Sequence, residues 1–261
     1  MKNLENYPFS EPLIFDTHAH YDAPQFDGYL DELLSKLPEH GVCGIITCGC
    51  DGETSKYSLD IAHRHNHVYA AVGIHPQDVE KGTSLSYIEE LAKDEKCIAI
   101  GEIGLDYYWV KDNKELQIEV FEKQLELANK LDLPVSVHDR DAHQDTMNLL
   151  KKHKPKGVVH CFSGSPESAA EVIKLGMYIG VGGVATFKNA RRLPEVIEAV
   201  PLDRILLETD CPYLAPEPFR GKTCHSAMIL RTAQKVAEIK GVTTEEILKI
   251  TRENTKKLFG V

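Results

Sequence analysis

The chain has 261 residues, of which 42% are hydrophobic and 27% are charged, an ordinary balance for a globular protein with a sizeable core. The 30 Lys and Arg residues against 40 Asp and Glu residues give a formal net charge of −10. This charge argues against a protein that coats nucleic acid non-specifically, because such binding needs a basic surface. A small, locally basic site is still compatible with it.

Seven cysteines are spread along the chain without a C-x-x-C pair. Their odd number and their position inside apolar runs predict reduced core residues in a cytoplasmic protein. A metal site at Cys48 and Cys50 is the weaker interpretation. The N-terminus lacks the apolar core of a signal peptide, and no apolar run approaches about 18 residues, so the sequence predicts neither secretion nor a membrane span.

Short apolar runs alternate with amphipathic segments from residue 13 to the end of the chain. Runs of this length, without polar alternation, are typical of buried parallel strands. The predicted strands are 13–20, 41–50, 68–76, 97–104, 133–138, 157–160, 177–184 and 204–210. The predicted helices are 26–40, 53–65, 88–92, 114–131, 142–153, 166–175 (with Ser165 as its N-cap), 193–200, 226–240 and 244–258.

About eight strands, each followed by a helix, in roughly 250 residues are the pattern of an α/β protein with a TIM (β/α)8 barrel. No linker or change of composition divides the chain, so we expect one barrel domain over residues 1–261. A doubly wound open sheet is the alternative, but its phosphate-loop patterns are missing after the first strand.

Ionisable side chains end the predicted strands one after another. The carboxyl ends of the strands of a TIM barrel meet at one face, where its chemistry takes place. Unpaired charge in such a cavity is costly unless a metal or mutual pairing compensates it, so the joint pattern indicates a metal site. The residues concerned are His18, His20, His75, Glu102, His138, His160 and Asp210.

The donor types limit the chemistry. Four histidines with two or three carboxylates can hold two divalent cations, but they offer no thiolate cage or haem motif. A two-metal hydrolase that activates a water is therefore predicted. Glu102 is the expected bridge between the cations, and Asp210 is expected to take the proton of the attacking water. Strand alternation would put Glu208 on the same face as Asp210, as an extra ligand or a support.

Six short motifs stand at or near the predicted strand ends: His18-Ala-His20, Gly73-Ile-His-Pro76, Gly101-Glu-Ile-Gly-Leu-Asp-Tyr107, Pro134-Val-Ser-Val-His-Asp-Arg-Asp-Ala142, His160-Cys-Phe-Ser-Gly164 and Leu207-Glu-Thr-Asp-Cys-Pro-Tyr-Leu-Ala-Pro216. In combination, over nearly the whole chain, they resemble the TatD deoxyribonucleases of the metal-dependent amidohydrolase superfamily. The resemblance implies a TIM barrel and a DNase that depends on Mg²⁺ or Mn²⁺ and often works from the 3′ end. The metal ligands it implies are His18, His20, Glu102, His138, His160 and Asp210.

The same resemblance implies that His75 faces the substrate phosphate. The chain departs from the family in its last long loop, where members usually carry a basic residue followed by Asn-Glu-Pro. Here the loop reads Arg220-Gly-Lys-Thr-Cys-His-Ser-Ala227. This departure bears on substrate preference around Cys224 and His225 and leaves the metal ligands untouched.

Basic residues near the strand ends are candidates for binding phosphate. Arg140, two residues past His138, can form a bidentate phosphate contact, and Arg220 lies in the last long loop. A solvated surface position is an equally good interpretation for several others, namely Lys188, Arg191, Arg192 and Lys222.

Asp106 and Tyr107 begin the loop after the fourth strand and are further candidates for substrate contact. The run Tyr107-Tyr108-Trp109 could stack an unpaired base, although covering the barrel rim explains any one of these rings equally well.

The favoured hypothesis is a metal-dependent phosphodiesterase that removes nucleotides from the 3′ end of single-stranded or frayed DNA. It would use two divalent cations, Mg²⁺ or Mn²⁺ before Zn²⁺, and need no membrane and no obligate protein partner. The main rival is a hydrolase of a small amide, ester or lactone, and a barrel that only binds a partner is a third hypothesis. Fold alone does not separate them. The discriminating feature is a ring of Arg and Lys around the barrel mouth, which a phosphate substrate needs.

Overall fold

The computed structural model describes residues 4–261, which form an eight-stranded parallel sheet whose spatial order follows the sequence. The strands are β1 (Ile14–Ala19), β2 (Val42–Cys48), β3 (Val68–Val72), β4 (Cys97–Asp106), β5 (Val135–Arg140), β6 (Gly157–Val159), β7 (Tyr178–Val181) and β8 (Ile205–Leu207). The helices are α1 (Leu30–Lys36), α2 (Gly52–Arg64), α3 (Ser86–Leu91), α4 (Lys114–Leu131), α5 (His143–His153), α6 (Pro166–Lys174), α7 (Arg192–Ala199), α8 (Ile229–Lys240) and α9 (Thr244–Phe259).

The segment after β8 pairs with the end of β1. The Asp210 N–H donates to the His18 carbonyl at 2.9 Å, and the His20 N–H donates to the Cys211 carbonyl at 2.7 Å. Ala19 and Cys211 form an isolated parallel bridge. These contacts close the sheet, so the predicted TIM barrel is confirmed.

Two hydrophobic clusters build the core. The larger one joins the outer faces of the strands to the helices around them. The smaller one takes residues from most of the strands and fills the barrel interior, as layers of side chains do in this fold; its members include Phe15, Ile46, Ala71, Ile98, Val158 and Leu206.

Capping side chains determine where α2 and α6 begin. Asp51 caps α2 by accepting the Thr54 N–H at 2.8 Å, and the Thr54 hydroxyl accepts the Asp51 N–H at 2.9 Å, which together form a capping box. The predicted cap of α6 is confirmed, since the Ser165 hydroxyl accepts the Ser168 N–H at 3.3 Å. Pro166 follows it at the first helical position, where no N–H is needed.

The predicted helix over 26–40 is wrong in its continuity. The structure has a 3₁₀ turn at Pro24–Phe26, then α1, then a second 3₁₀ turn at Leu37–His40. Gly28 adopts a φ of +80°, which ends the first turn, and Pro38 lacks the N–H that α1 would need to continue. Apolar spacing alone does not register these interruptions.

The predicted last strand also ends too late. β8 pairs with Ile179–Val181 of β7 through residues 205–207 only, so Glu208 and Asp210 belong to the loop that follows. Asp210 has a φ of +60°, in the left-handed region that Asp tolerates better than most residues. The argument from strand alternation that placed Glu208 beside Asp210 was therefore wrong. Likewise, His75 lies beyond the end of β3 at Val72.

No helix within residues 4–261 combines the length and the apolar character needed to cross a membrane. All seven cysteines are free thiols.

Candidate active site

Six ionisable side chains meet at the carboxyl end of the barrel, where the parallel strands bring them from distant parts of the sequence. Glu102 stands at the centre, in the middle of β4, the longest strand. The other five come from β1 and β5 and from the residues just after β1, β6 and β8, and they are His18, His20, His138, His160 and Asp210.

One oxygen of Glu102 faces the two histidines of the first motif. Its Oε2 lies 3.3 Å from His18 Nε2 and 3.3 Å from His20 Nε2. The two Nε2 atoms are 3.2 Å apart. Asp210 completes this group, with its Oδ1 3.4 Å from His20 Nε2 and 3.9 Å from His18 Nε2.

The other oxygen of Glu102 faces a second group of histidines. Its Oε1 lies 2.7 Å from His138 Nδ1, 2.8 Å from His160 Nε2 and 3.4 Å from His75 Nε2. Glu102 thus presents one oxygen to each of two sets of nitrogen donors, as a carboxylate that bridges two cations must.

The outer nitrogens of the first two histidines have fixed partners. His18 Nδ1 lies 2.9 Å from Ser136 Oγ, and His20 Nδ1 lies 2.9 Å from the Cys48 carbonyl oxygen. A carbonyl can only accept, so His20 carries a proton on Nδ1 and turns its Nε2 to the centre. Such partners hold a metal-binding imidazole in the required orientation and tautomer.

The other two histidines have carboxylates near the ring nitrogens that face away from Glu102. His138 Nε2 lies 3.2 Å from Asp106 Oδ2, while His160 Nδ1 lies 3.8 Å from Glu208 Oε1. The Glu208 carboxylate is fully buried and accepts the Cys161 N–H. Burial raises the pKa of Glu208 to about 8, against the opposing effect of His160. Glu208 belongs to none of the candidate metal-holding groups among residues 4–261, and it lies on the outer side of the His160 ring.

Burial and neighbouring charged groups shift the pKa values of the central groups. Burial alone would raise the pKa of Glu102, but His160, His75 and His18 hold it well below its usual range. Burial likewise opposes ionisation of Asp210, whose pKa is lowered by its hydrogen bond to His20. Burial lowers the pKa of His18 to about 4, with His160 adding to the effect. The centre therefore carries two ionised carboxylates and a neutral His18 at neutral pH.

This donor set fits divalent cations. The groups whose ligand atoms are close enough to share an ion include His18 with Glu102 and His160, and His18 with His20 and Asp210. Neutral imidazoles and carboxylates suit Zn²⁺ and Mn²⁺, and the carboxylates also suit Mg²⁺. Anchored rings and buried carboxylates that converge in this way are the features expected of a metal centre.

Cys50 lies closer to the centre than the sequence analysis expected. Its Sγ is 3.9 Å from His20 Nδ1, and it forms a further candidate group with His20 and Glu102. Burial raises the pKa of the Cys50 thiol to about 11, which keeps it protonated at neutral pH. A protonated thiol is a poor ligand, so the imidazoles and carboxylates are the better donors.

Asp106 contacts His138 on the ring nitrogen that faces away from Glu102. Besides facing His138, its carboxylate accepts the Gln77 side-chain N–H at 2.8 Å and the backbone N–H groups of Tyr108 and Trp109 at 2.9 and 2.8 Å. The Asp106 side chain is fully buried. The structure thus places Asp106 as a support for His138 and for the loop, while its contact with substrate stays a prediction.

Tyr107 is also held by contacts within the protein. It is only 9% exposed, its hydroxyl donates to Asp145 at 2.9 Å, and Lys114 Nζ lies 4.2 Å from its ring centre. Tyr107 therefore packs the loop against α4 and α5, while the next two rings of the run remain exposed.

The basic residues expected to bind phosphate are exposed at the carboxyl end of the barrel, with Arg140 as the last residue of β5 and Arg220 in the loop after β8. The guanidinium of Arg140 lies 4.6 Å from the ring centre of Tyr108, and that of Arg220 lies 4.1 Å from the ring centre of Phe187. Neither forms an ion pair within residues 4–261, and the same holds for Lys188, Arg191, Arg192 and Lys222.

Two cavities open beside the sixth and seventh strands. One, of about 370 Å³, is lined by His160, Ser163 and Arg192 among others. The other, of about 330 Å³, is more apolar and includes Phe162 and Leu193. Both volumes lie at the lower end of the range found for small-molecule sites.

Sequence reasoning missed the partners that orient the histidines, chiefly Ser136 and Gln77. Ser136 precedes His138 by two residues in β5 and shares its strand face, a relation the sequence does contain. Nothing in the sequence connects Gln77 to Asp106, 29 residues further on, because the contact depends on how two loops meet.

Comparison with known proteins decides the family. A family model described as TatD related DNase matches residues 15–260. The chain belongs to this family. The sequence is 42% identical over 254 residues to the uncharacterized metal-dependent hydrolase YabD of Bacillus subtilis, covering 95% of this chain and 100% of that protein.

Solved TatD-family structures share the whole fold. The TatD homologue YjjV of Escherichia coli superposes with a TM-score of 0.88 at 34% identity, over 96% of this chain and 99% of YjjV. A TatD-family hydrolase of Entamoeba histolytica gives a TM-score of 0.85 at 25% identity, over 96% and 99% of the two chains. The protein is thus a TatD-type metal-dependent hydrolase built on a TIM barrel, and the resemblance drawn from its motifs is confirmed.

Proposed function

We propose that this TatD-family hydrolase cleaves the phosphodiester bonds of DNA and removes nucleotides from the 3′ end of single-stranded or frayed DNA. It would use two divalent cations, Mg²⁺ or Mn²⁺ in preference to Zn²⁺. The observation that carries the proposal is the set of basic side chains without ion pairs around a centre organised on Glu102. The free thiols fit a reducing compartment, and we assign the activity to the cytoplasm.

Several basic residues on the outer helices form ion pairs, whereas the arginines that we propose bind phosphate do not. On the helices, Lys36 pairs with Glu32 at 3.0 Å, and Lys249 pairs with Glu245 at 2.6 Å. Arg140 and Arg220 at the mouth have no such partner within residues 4–261. In a protein with a net charge of −10, cations left without partners beside the site are available for a polyanion. A neutral amide, ester or lactone would gain nothing from them.

Each group of donors would hold one cation. His18, His20 and Asp210 with Glu102 Oε2 form the first site, and His138 and His160 with Glu102 Oε1 form the second. When bound, the cations would supply an activated water and stabilise the departing oxygen.

The side chains around these two sites carry out the remaining steps. The Asp210 carboxylate accepts the proton of the attacking water, since its lowered pKa keeps it ionised at neutral pH. His75, whose ring centre lies 4.6 Å from that of His138, would contact the phosphate. Arg140 and Arg220 hold the chain of phosphates through charge-assisted hydrogen bonds.

An assay with end-labelled oligonucleotides tests the proposal. The protein is incubated with Mg²⁺, Mn²⁺, Zn²⁺ or EDTA and with single strands blocked at the 3′ or the 5′ end. We expect stepwise shortening from a free 3′ end, no shortening when that end is blocked, and no reaction in EDTA. Intact strands under every metal condition, together with turnover of small amides, esters or lactones, would support the rival hydrolase.

A further inference from the structure

Two aromatic rings stand exposed beside the candidate metal centre. Tyr108 and Trp109, in the loop between β4 and α4, are 45% and 63% exposed. Their ring centres are 4.8 Å apart in an edge-to-face arrangement. The preceding Tyr107 already packs this loop, so the next two rings are not needed to cover the barrel rim. Exposed Tyr and Trp at the mouth of a site are suited to stacking on a ligand.

The backbone of this aromatic pair is fixed relative to the metal ligands. The Asp106 carboxylate accepts the N–H groups of Tyr108 and Trp109 through Oδ1, while its Oδ2 lies 3.2 Å from Nε2 of His138. Trp109 follows Asp106 by three residues, so their Cα atoms are at most about 11 Å apart. A single buried carboxylate therefore sets the position of the rings and that of a ligand histidine together.

Arg140, which we propose binds phosphate, lies close to both rings. Its Cζ lies 4.6 Å from the Tyr108 ring centre and 5.8 Å from that of Trp109. Its guanidinium makes no hydrogen bond or ion pair within residues 4–261. A guanidinium that stacks through its face keeps the N–H groups on its edge available for a phosphate.

We propose that Trp109 and Tyr108 form a stacking platform for an unpaired base, whose neighbouring phosphate is bound by Arg140, and that this platform selects single-stranded ends. This inference rests on the proposed function and names the part of the substrate that the site recognises. A base held in a duplex offers no free face to the platform. Stacking also tolerates any base, so the platform selects strandedness and not sequence.

Fluorescence tests the platform without any cleavage, because Trp109 is the only tryptophan of the chain. The Mn²⁺-loaded protein is titrated with a cleavage-resistant phosphorothioate single strand and with an abasic strand of equal length and charge. We expect the strand with bases to quench or shift the Trp109 emission and the abasic strand to leave it nearly unchanged. Equal changes with both strands, or none with either, would overturn the platform.

Variants test whether stacking contributes to turnover. Loss of one base stack corresponds to a five- to 150-fold rise in KM, on the order of 1–3 kcal/mol, and we expect Trp109→Ala to fall within this range on single strands. Trp109→Phe should stay near the wild type, because it keeps an aromatic face. On a substrate that is abasic at its terminal nucleotides, Trp109→Ala and the wild type should have equal KM values.

A similar pair of residues elsewhere provides the control. Tyr57 on α2 is 40% exposed, and Arg64 lies 6.0 Å from its ring centre. Tyr57→Ala should leave KM unchanged. If the wild type cleaves DNA but Trp109→Ala has an unchanged KM on strands with bases, the platform is wrong and the proposed function stands. If the wild type cleaves no DNA, the proposed function fails, and the fluorescence comparison still decides whether the rings bind an unpaired base.

Discussion

Glu102 is the residue on which the geometry of the centre depends, because its two oxygens face different groups of donors. Oε2 lies 3.3 Å from His18 and His20, and Oε1 lies 2.7 and 2.8 Å from His138 and His160. No other side chain among residues 4–261 belongs to three of the candidate metal-holding groups.

Replacing Glu102 should therefore weaken the binding of both cations at once. We expect Glu102→Ala to lose metal from both sites, as measured by elemental analysis after dialysis, and to lose activity with it. Glu217→Ala, which removes a carboxylate from the loop after β8, should keep full occupancy. A Glu102→Ala protein with full metal content and full activity would remove the bridging assignment.

The role of Arg140 in binding phosphate can be tested separately, because its guanidinium lies over the Tyr108 ring and has no ionic partner within residues 4–261. We expect Arg140→Ala to raise KM for an oligonucleotide by about ten- to a hundredfold, the scale of a charge-assisted hydrogen bond. Its melting temperature should stay close to that of the wild type. Arg64→Ala, which removes an arginine over Tyr57 on α2, should leave KM unchanged. An unchanged KM with a large fall in melting temperature would assign Arg140 a structural role.

The strand β7 leaves room for the buried carboxylate of Glu208, which lies in the loop after β8. A Cβ on Gly180 would overlap the Glu208 carboxylate, whereas a Cβ on Gly182 would meet its nearest neighbour, the Glu208 carbonyl oxygen, at 3.6 Å. Glu208 has no space to withdraw, since it is fully buried and bonded to the Cys161 N–H.

The two glycines form a matched pair for substitution. We expect Gly180→Ala to cost about 1–3 kcal/mol through overpacking, and hence roughly 2–12 °C in melting temperature, while Gly182→Ala has a small effect. Differential scanning calorimetry measures both. Equal melting temperatures for the two variants would mean that Glu208 is not held against β7 as described.

Sequence patterns predicted the type and order of the strands but not their ends. The predicted last strand continues to Asp210, yet β8 stops at Leu207, because strand length depends on pairing with the short β7. Helix 26–40 failed for a similar reason, since its apolar spacing continued through Gly28 and Pro38. Length and continuity depend on neighbouring elements that the local sequence does not contain.

The candidate metal ligands could be predicted from the sequence more fully than the residues that hold them in place. In a barrel every strand end reaches the same cavity, so the structure brings the predicted histidines and carboxylates together. The contacts of Asp106 with Gln77 and of His18 with Ser136 join different strands and loops, and no spacing rule connects them. The same limit explains why the sequence does not distinguish the exposed rings, Tyr108 and Trp109, from the buried Tyr107.

At the scale of the whole molecule, metal binding should stabilise the fold. The centre holds ionised carboxylates in a buried position, and a ligand that binds only the native state at a hundred times its Kd adds about 2.7 kcal/mol to the free energy of unfolding. For a chain of this size we expect a rise of roughly 5–10 °C in melting temperature on adding Mn²⁺ after EDTA treatment. Glu102→Ala should show little of it. A wild-type melting temperature independent of metal would contradict a buried metal centre.

We propose that Asp210 accepts the proton of the attacking water during hydrolysis of a DNA phosphodiester, and Asp210→Asn tests this role most directly. The substitution keeps the size and one oxygen of the side chain but removes its basic carboxylate. The measurement is kcat on a single-stranded oligonucleotide, with metal content and oligonucleotide affinity determined on the same sample. We expect kcat to fall by roughly 10²–10⁴-fold while affinity and metal content are largely kept. Near wild-type turnover with both cations present would contradict the account and direct attention to His75 or Glu208 as the proton acceptor.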